Sequence, residues 1–268
     1  MSGLFSDARG RQHRLDGPPL RIVSLVPSLT ETLFALGLGE RVIGVTDYCV
    51  HPASGVGGLP RVGGTKNPSI ERIAGLQPDL VLANREENTL RDVERLEALG
   101  LRVFVTYARS VREGVEDISL LARIEACPRA AVPIVEAIES AWERARERRP
   151  DPAPRVAALV WKRPYMAVGP DTFAHDLIGE CGGHNAFGAG ERRYPRVDED
   201  ALVAAAPQVI LLPTEPYAFG PRDRDELLAL DVPAAAEGRV HVIEGELLSW
   251  YGPRIARALD LLSELISG

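Results

Sequence analysis

The chain is predicted to be an α/β protein in which two lobes with parallel sheets flank one long helix. Three observations predict it. Short β-branched runs alternate with helical patterns through about residue 106, and again from about residue 156. Between them, residues 111–149 are helical in pattern with no strand, and Asp151-Pro-Ala-Pro154 then breaks the chain. Finally, SIERIAGLQPDLVL from Ser69 resembles DEDALVAAAPQVIL from Asp198. Each has a capping residue, an acid two positions on (Glu71, Asp200), a short helix, a proline and a buried strand.

The elements follow in order. Residues 22–26 (IVSLV) read as a strand. Ser28 and Glu31 have capping-box spacing and are expected to start the helix TETLFALG, which Gly37 and Gly39 end. Strand 42–45, helix 69–75, strand 79–83, helix 88–99 and strand 103–106 come next. Pro128 and Pro133 punctuate the helical middle, so one helix should end near Ala126 and a long one begin near Arg129. Then come strand 156–160, helix 171–180 ended by Gly182-Gly183, helix 198–206, strands 209–212 and 240–243, and a closing helix 253–266. The expected domains are an N-terminal lobe at 20–126 after an arm at 1–19, a linking helix at 127–150, and a C-terminal lobe at 151–268.

Composition excludes several classes. Hydrophobic residues make up 45% of the 268, enough for a packed core and too many for a disordered chain. The net charge of −7 comes without a basic stripe, so nucleic acid is not an expected partner. The cluster ERARERR at 143–149 alternates in sign and reads as a solvated helix face. No stretch approaches the ~18 apolar residues of a membrane span. The first residues lack an apolar h-region and a lipid-attachment cysteine, so the expectation is a cytoplasmic protein, or a periplasmic one if an upstream signal is missing. Three widely spaced cysteines are not a disulfide framework.

In parallel α/β sheets ligands bind beyond the carboxyl ends of the strands. The segments there are TDYCVHP (46–52), NREEN (84–88), YAR (107–109), WKRPY (161–165), TEPY (214–217) and GELLSWY (245–251). Of the three Trp, six Tyr and six Phe, at least six fall in these loops, and Tyr194 adds another. Aromatics and carboxylates at strand ends describe the wall of a ligand cleft; loops that simply tolerate polar aromatics would give the same pattern. The expected wall is Tyr48, Trp161, Tyr165, Tyr194, Tyr217, Trp250 and Tyr251 with Glu86, Glu87, Glu215 and Glu246.

Phosphate-loop, G-x-S-x-G and G-x-G-x-x-G motifs do not occur. A zinc site from Cys49-Val-His51 and Cys181-Gly-Gly-His184 is opposed by the place of Cys181 on the buried end of a helix. Cys49 and His51 remain candidate metal ligands, with Glu86, Glu87 or Glu246 able to complete a set, or else rim residues that touch a ligand carrying its own metal.

RIVSLVPSLTETLFALGLGERVIGVTDY, RVGGT, IERIAGLQPDLVLA and LEALGLRVFV resemble the N-terminal lobe of the class III, helical-backbone solute-binding proteins of ABC importers for cobalamin, haem and ferric siderophores. ECGGHNAF, APQVILL and YGPRIARAL resemble the C-terminal lobe, and SDARGRQHRLDGPPLRIVSL an N-terminal hairpin of the siderophore branch. The resemblance implies two Rossmann-like lobes joined by one rigid helix, with a ligand in the cleft between them. It implies a stacking role for Tyr48, and ligand contact at Tyr165 and Tyr194. It also implies docking onto a permease through Glu71 and Asp200. Thr65, Asn84, Trp250 and Glu246 depart from the cobalamin-binding pattern while occupying its ligand positions. The expected protein is a monomeric, non-enzymatic receptor with no intrinsic cofactor, whose small-molecule ligand brings cobalt or iron. The alternative is a cytosolic cofactor-handling protein or enzyme using His51, Glu86 and Glu87.

Overall fold

The computed structural model describes residues 3–268. The chain divides into two compact units. The first comprises residues up to Ala108 with Glu113–Glu136 and Tyr251–Pro253; the second comprises Arg109–Arg112, Ala137–Trp250 and Arg254–Gly268.

Unit 1 opens with an antiparallel hairpin, β1 (Gly3–Ser6) and β2 (Gln12–Leu15). Its main sheet is parallel, in the order β4 (Val42–Val45), β3 (Ile22–Ser24), β5 (Leu80–Asn84), β6 (Val103–Thr106). Every residue of β3, β5 and β6 is buried, as a parallel sheet covered on both faces requires. Its helices are α1 (Pro27–Ala35), the single turn α2 (Ala53–Val56), α3 (Ile70–Gly75), α4 (Leu90–Ala98), most of α5 (Val111–Ile124), and the start of α6 (Pro128–Glu147). The 20-residue α6 carries the chain from one unit into the other.

Unit 2 has a mixed sheet, β10 (Arg196–Val197), β8 (Tyr165–Ala167), β7 (Arg155–Trp161), β11 (Val209–Pro213), β12 (Val240–Ile243), with β9 (His184–Asn185) beside the start of β7. The β7, β11 and β12 strands are parallel; β8 and β10 add an antiparallel edge. Around it lie α7 (Phe173–Glu180), α8 (Glu199–Ala205), α9 (Pro221–Leu228), α10 (Pro233–Ala236), α11 (Glu246–Ser249) and α12 (Ile255–Ser267).

The start of α1 differs from the sequence expectation. Ser28 does not cap it. The N-cap is Val26, Pro27 stands in the first turn, and Ser28 is buried inside the helix. Proline at the first helical position has φ preset for a helix and no N–H of its own to satisfy, and it starts the helix here without a side-chain cap. Helix α7, by contrast, starts later than expected: Thr172 is its cap, accepting from the His175 N–H at 3.1 Å, while Asp171 lies outside at φ +56. The paired segments in the two halves do form matching helices. Ser69 accepts from the Arg72 N–H at 3.3 Å and Asp198 from the Ala201 N–H at 2.8 Å.

Two carboxylates of unit 1 are held at a cost. Oδ2 of Asp117 is buried and unpartnered. Burial, then the charges of Glu113 and Glu116, push this carboxyl up to about 7. Glu125 is buried against Arg41 (3.0 Å), with its other oxygen unpartnered, and burial outweighs the arginine to bring it also to about 7. Both folded-state values lie above the unfolded ones. Their stabilisation is therefore complete below about pH 4 and is lost as pH rises to about 7. Asp117→Asn should shed this loss, gaining on the order of 4 kcal/mol over the natural chain at pH 8 and little or nothing at pH 4. Urea unfolding at the two pH values checks it; an equal effect at both would mean the carboxyl is not strained.

Candidate functional site

Unit 1 presents three loops beyond its strand ends. In the loop after β4, Cys49 is fully buried, and the hydroxyls of Thr30 and Thr46 each lie 3.1 Å from its sulfur. Burial pushes the thiol up, against the pull of those hydroxyls. Beneath it, Arg61 donates to the carbonyls of Thr46 (2.8 Å) and Cys49 (2.9 Å). Cys49 is thus the loop's anchor and not its rim, a correction to the sequence reading. The two residues beside it face outward: Tyr48 is 63% exposed and Val50 48%. His51 is half-buried. Among the described residues no group of three His, Cys, Asp or Glu is placed to hold a metal ion, so neither the Cys49–His51 set nor the Cys181–His184 set assembles. Cys181 is buried at the end of α7, and burial pushes its thiol up to about 12.

Thr65 and Asn84, expected at ligand positions, are both buried. The Asn84 side chain donates to Thr106 Oγ1 (3.1 Å) and accepts from the Glu86 N–H (2.8 Å). Asn88 accepts from the Asn84 N–H (2.9 Å) and donates to the Thr65 carbonyl (2.9 Å). A central strand that stops must satisfy the backbone groups it leaves behind, and these amides do so. What they hold up is Arg85-Glu86-Glu87, with both glutamates half-buried, the Arg85 guanidinium 5.0 Å from the Tyr107 ring, and Lys66 bonded to the Glu86 carbonyl.

Unit 2 presents an aromatic ladder. Trp161, at the end of β7 and 43% exposed, meets Tyr217 edge-on at 5.8 Å, and Tyr217 meets buried Phe219 at 4.6 Å. Tyr217 and Phe219 follow β11, the strand next to β7, which is why the rings meet. Half-buried Tyr165 packs on the core below. Tyr194 is exposed, with the Arg193 guanidinium 5.8 Å from its ring. Trp250 is buried under Arg254, whose guanidinium is 5.0 Å from its ring. Tyr251 is buried too, in the segment that groups with unit 1, where a Cβ on neighbouring Gly252 would stand 2.7 Å from Thr32 Oγ1. Neither offers the open face expected from sequence.

Glu215 sits on the β11 side of this rim, half-buried, accepting from Ser249 Oγ at 3.1 Å. Burial raises its carboxyl above the usual range, the charge of Glu246 adds to that, and the Ser249 and Trp250 hydrogen bonds with the Arg254 charge oppose it. A pocket of about 540 Å³ lies beside the β7–β8 turn, lined by Lys162–Tyr165, Val197–Asp200 and Glu226. Asp200 is exposed in it, and in unit 1 Glu71 is exposed at the corresponding helix position. The sequence reading missed Lys162, Phe219, Ser249 and Gly245. Lys162 was in view within WKRPY, but nothing in its neighbours marks it as buried.

The two-sheet chain with its aromatic strand ends matches the periplasmic binding protein family over residues 22–247. The chain belongs to that family. The vitamin B12-binding protein of Photorhabdus laumondii is 25% identical over 256 residues, covering 95% of this chain and 90% of that protein. The periplasmic haem-binding protein RhuT from Roseiflexus sp. RS-1 superposes with a TM-score of 0.81 at 27% identity, covering 92% of this chain and 97% of that one. The periplasmic haem-binding protein BhuT in complex with two haems gives 0.81 at 28% identity, covering 94% and 98%.

Packing in unit 2's rim is tight at Gly245. A Cβ there would stand 2.2 Å from Glu215 Cγ and 2.4 Å from its backbone nitrogen. Gly245→Ala should therefore destabilise the protein by about 1–3 kcal/mol through overpacking and release Glu215 from Ser249. A thermal melt beside the carboxyl titration of Glu215 by NMR measures both. An unshifted melt would show that the loop yields freely.

Proposed function

We propose that the chain is a non-enzymatic receptor for a small metal-bearing ligand of the corrinoid, haem or ferric-siderophore type, and that it serves an ABC importer. The observation that carries this is the Trp161–Tyr217–Phe219 ladder, a set of edge-packed rings ending in a half-exposed indole at a strand's carboxyl end. Such a surface offers stacking area to a flat ring system, roughly 0.5–1.5 kcal/mol per aromatic beyond area burial. Exposed Tyr48 and Tyr194 are the further stacking groups. The relatives named for vitamin B12 and haem support a ligand that brings its own metal. The half-buried glutamates Glu86, Glu87, Glu215 and Glu246 disfavour a strongly anionic ligand and favour one with donor groups or open metal positions. Glu71 and Asp200, both exposed in the first turn of capped helices, are the permease-docking acids in this reading. The relatives named as periplasmic support work in that compartment.

Titration of haemin, cyanocobalamin, a ferric hydroxamate and bare Zn²⁺ or Co²⁺ against tryptophan fluorescence tests the reading. One of the chelates should quench with micromolar or tighter affinity, about −8 kcal/mol, and Trp161→Ala should weaken it about tenfold. Tight binding of a bare ion, lost in His51→Ala, would overturn the reading in favour of a dedicated metal site. For docking, Glu71→Lys with Asp200→Lys should reduce capture by the importer's permease in detergent without abolishing quenching; undiminished capture would remove these acids from the interface.

A further inference from the structure

The turn that carries Trp161 contains two features that cost free energy. Lys162 is only 7% exposed, and its ammonium sits 2.6 Å from Asp223 Oδ1 and 2.5 Å from Glu226 Oε2. Burying a cation is costly even when it is paired, and apolar side chains often fill such a space with no loss of stability. The next residue, Arg163, has φ +65, a left-handed backbone that a side chain disfavours and that persists only where its surroundings fix it. Costs of this kind gather at functional sites. Here they sit directly behind the half-exposed indole of Trp161.

The contacts close into a ring. Trp161 packs on Tyr217, and Tyr217 on Phe219. Phe219 precedes Gly220, whose N–H donates to Asp223 Oδ2 at 2.9 Å as the cap of α9. The other oxygen of Asp223 holds Lys162, which is bonded in sequence to Trp161. Lys162 is buried and Trp161, its neighbour in the chain, is 43% exposed, so an anchored residue adjoins a presented one. One ammonium thus ties the β7 end of the aromatic ladder to the helix that begins at its β11 end.

We infer that Lys162 is a positioning residue for the ligand wall: its ion pair with Asp223 and Glu226 fixes Trp161 against Tyr217 and so sets ligand affinity without touching the ligand. The inference rests on reading Trp161 and Tyr217 as that wall, and its test has an arm that does not.

The first arm needs no ligand. The chain has three tryptophans, at 142, 161 and 250. In protein labelled with 5-fluorotryptophan, the Trp161 resonance is assigned through Trp161→Phe. Lys162→Met should shift or broaden that resonance and leave Trp142 in place, and Lys162→Arg should restore most of it. If Lys162→Met does not fold, Glu226→Gln removes one partner at a half-exposed carboxylate and should give a smaller change of the same kind. An unmoved Trp161 line in a folded variant overturns the inference. In the second arm haemin and cyanocobalamin are the probes. Lys162→Met should raise the Kd of the probe that binds about tenfold in the natural background and less than twofold in Trp161→Ala. An equal rise in both backgrounds would mean the ion pair only supports the fold, and overturns the inference. If neither probe binds the natural chain, the corrinoid and haem members of the proposed ligand class fail, and the fluorine resonance alone decides the role of Lys162.

Discussion

A parallel sheet must be covered on both faces, and that constraint decides where this protein can meet anything else. In β5 and β11 every residue is buried. The apolar runs LVLAN and VILLP give no face to solvent, so side chains free to bind must come from the loops that leave the sheets. The helices on either side use their apolar faces for covering. What remains is a small number of short segments, and those segments hold the tyrosines, two of the tryptophans and several half-buried glutamates.

These loops are held by polar groups lying just under them, and the support alternates with what it presents. Cys49 is gripped by two threonine hydroxyls while Tyr48 and Val50 on either side stand out. Asn84 and Asn88 close the end of β5 and lift Glu86 and Glu87. Ser249 holds Glu215, and Lys162 lies behind Trp161. In each case a side chain of binding type stands beside one of anchoring type. A buried thiol bonded to hydroxyls, or an amide with its donors and acceptors used, tolerates loss of water only because its partners are in place. The rim is therefore held by its side-chain partners as well as by the strands and helices it adjoins.

This alternation explains what could be read from the sequence and what could not. The strands and most helices were legible because period and punctuation are local: Ser69 and Asp198 cap as their positions suggest, and the α5–α6 break falls between the prolines and Ala126. Ser28 misled because a capping box and a proline at the first helical turn compete, and the proline needs no partner. The loops were legible as places but not as residues. Position after a strand names Asn84, Cys49, Trp250 and Tyr251 as readily as Tyr48 or Trp161. Which way each turns depends on partners far away in the chain, such as Thr106 for Asn84 or Thr30 for Cys49. Lys162 is the extreme case. A lysine in a loop reads as solvent-facing, and only the arrival of Asp223 and Glu226 from α9 makes its burial tolerable.

The same reasoning bears on how relatives of one fold come to differ in what they hold. The scaffold below the rim is set by core packing, and a TM-score of 0.81 at 27% identity with RhuT shows how little sequence that packing demands. The rim is constrained differently. An exposed ring such as Tyr48 can change with little effect on stability, because its side chain has little to lose on folding. An anchor such as Asn84 changes alone only at a cost, since its partners would be left buried and unpaired. Divergence should then be fast at the presenting residues and slow at the anchors. A set of fixed anchors with variable neighbours is what allows one pair of sheets to carry surfaces of different chemistry, and it is also why a residue's place in a loop says less about binding than the partner standing behind it.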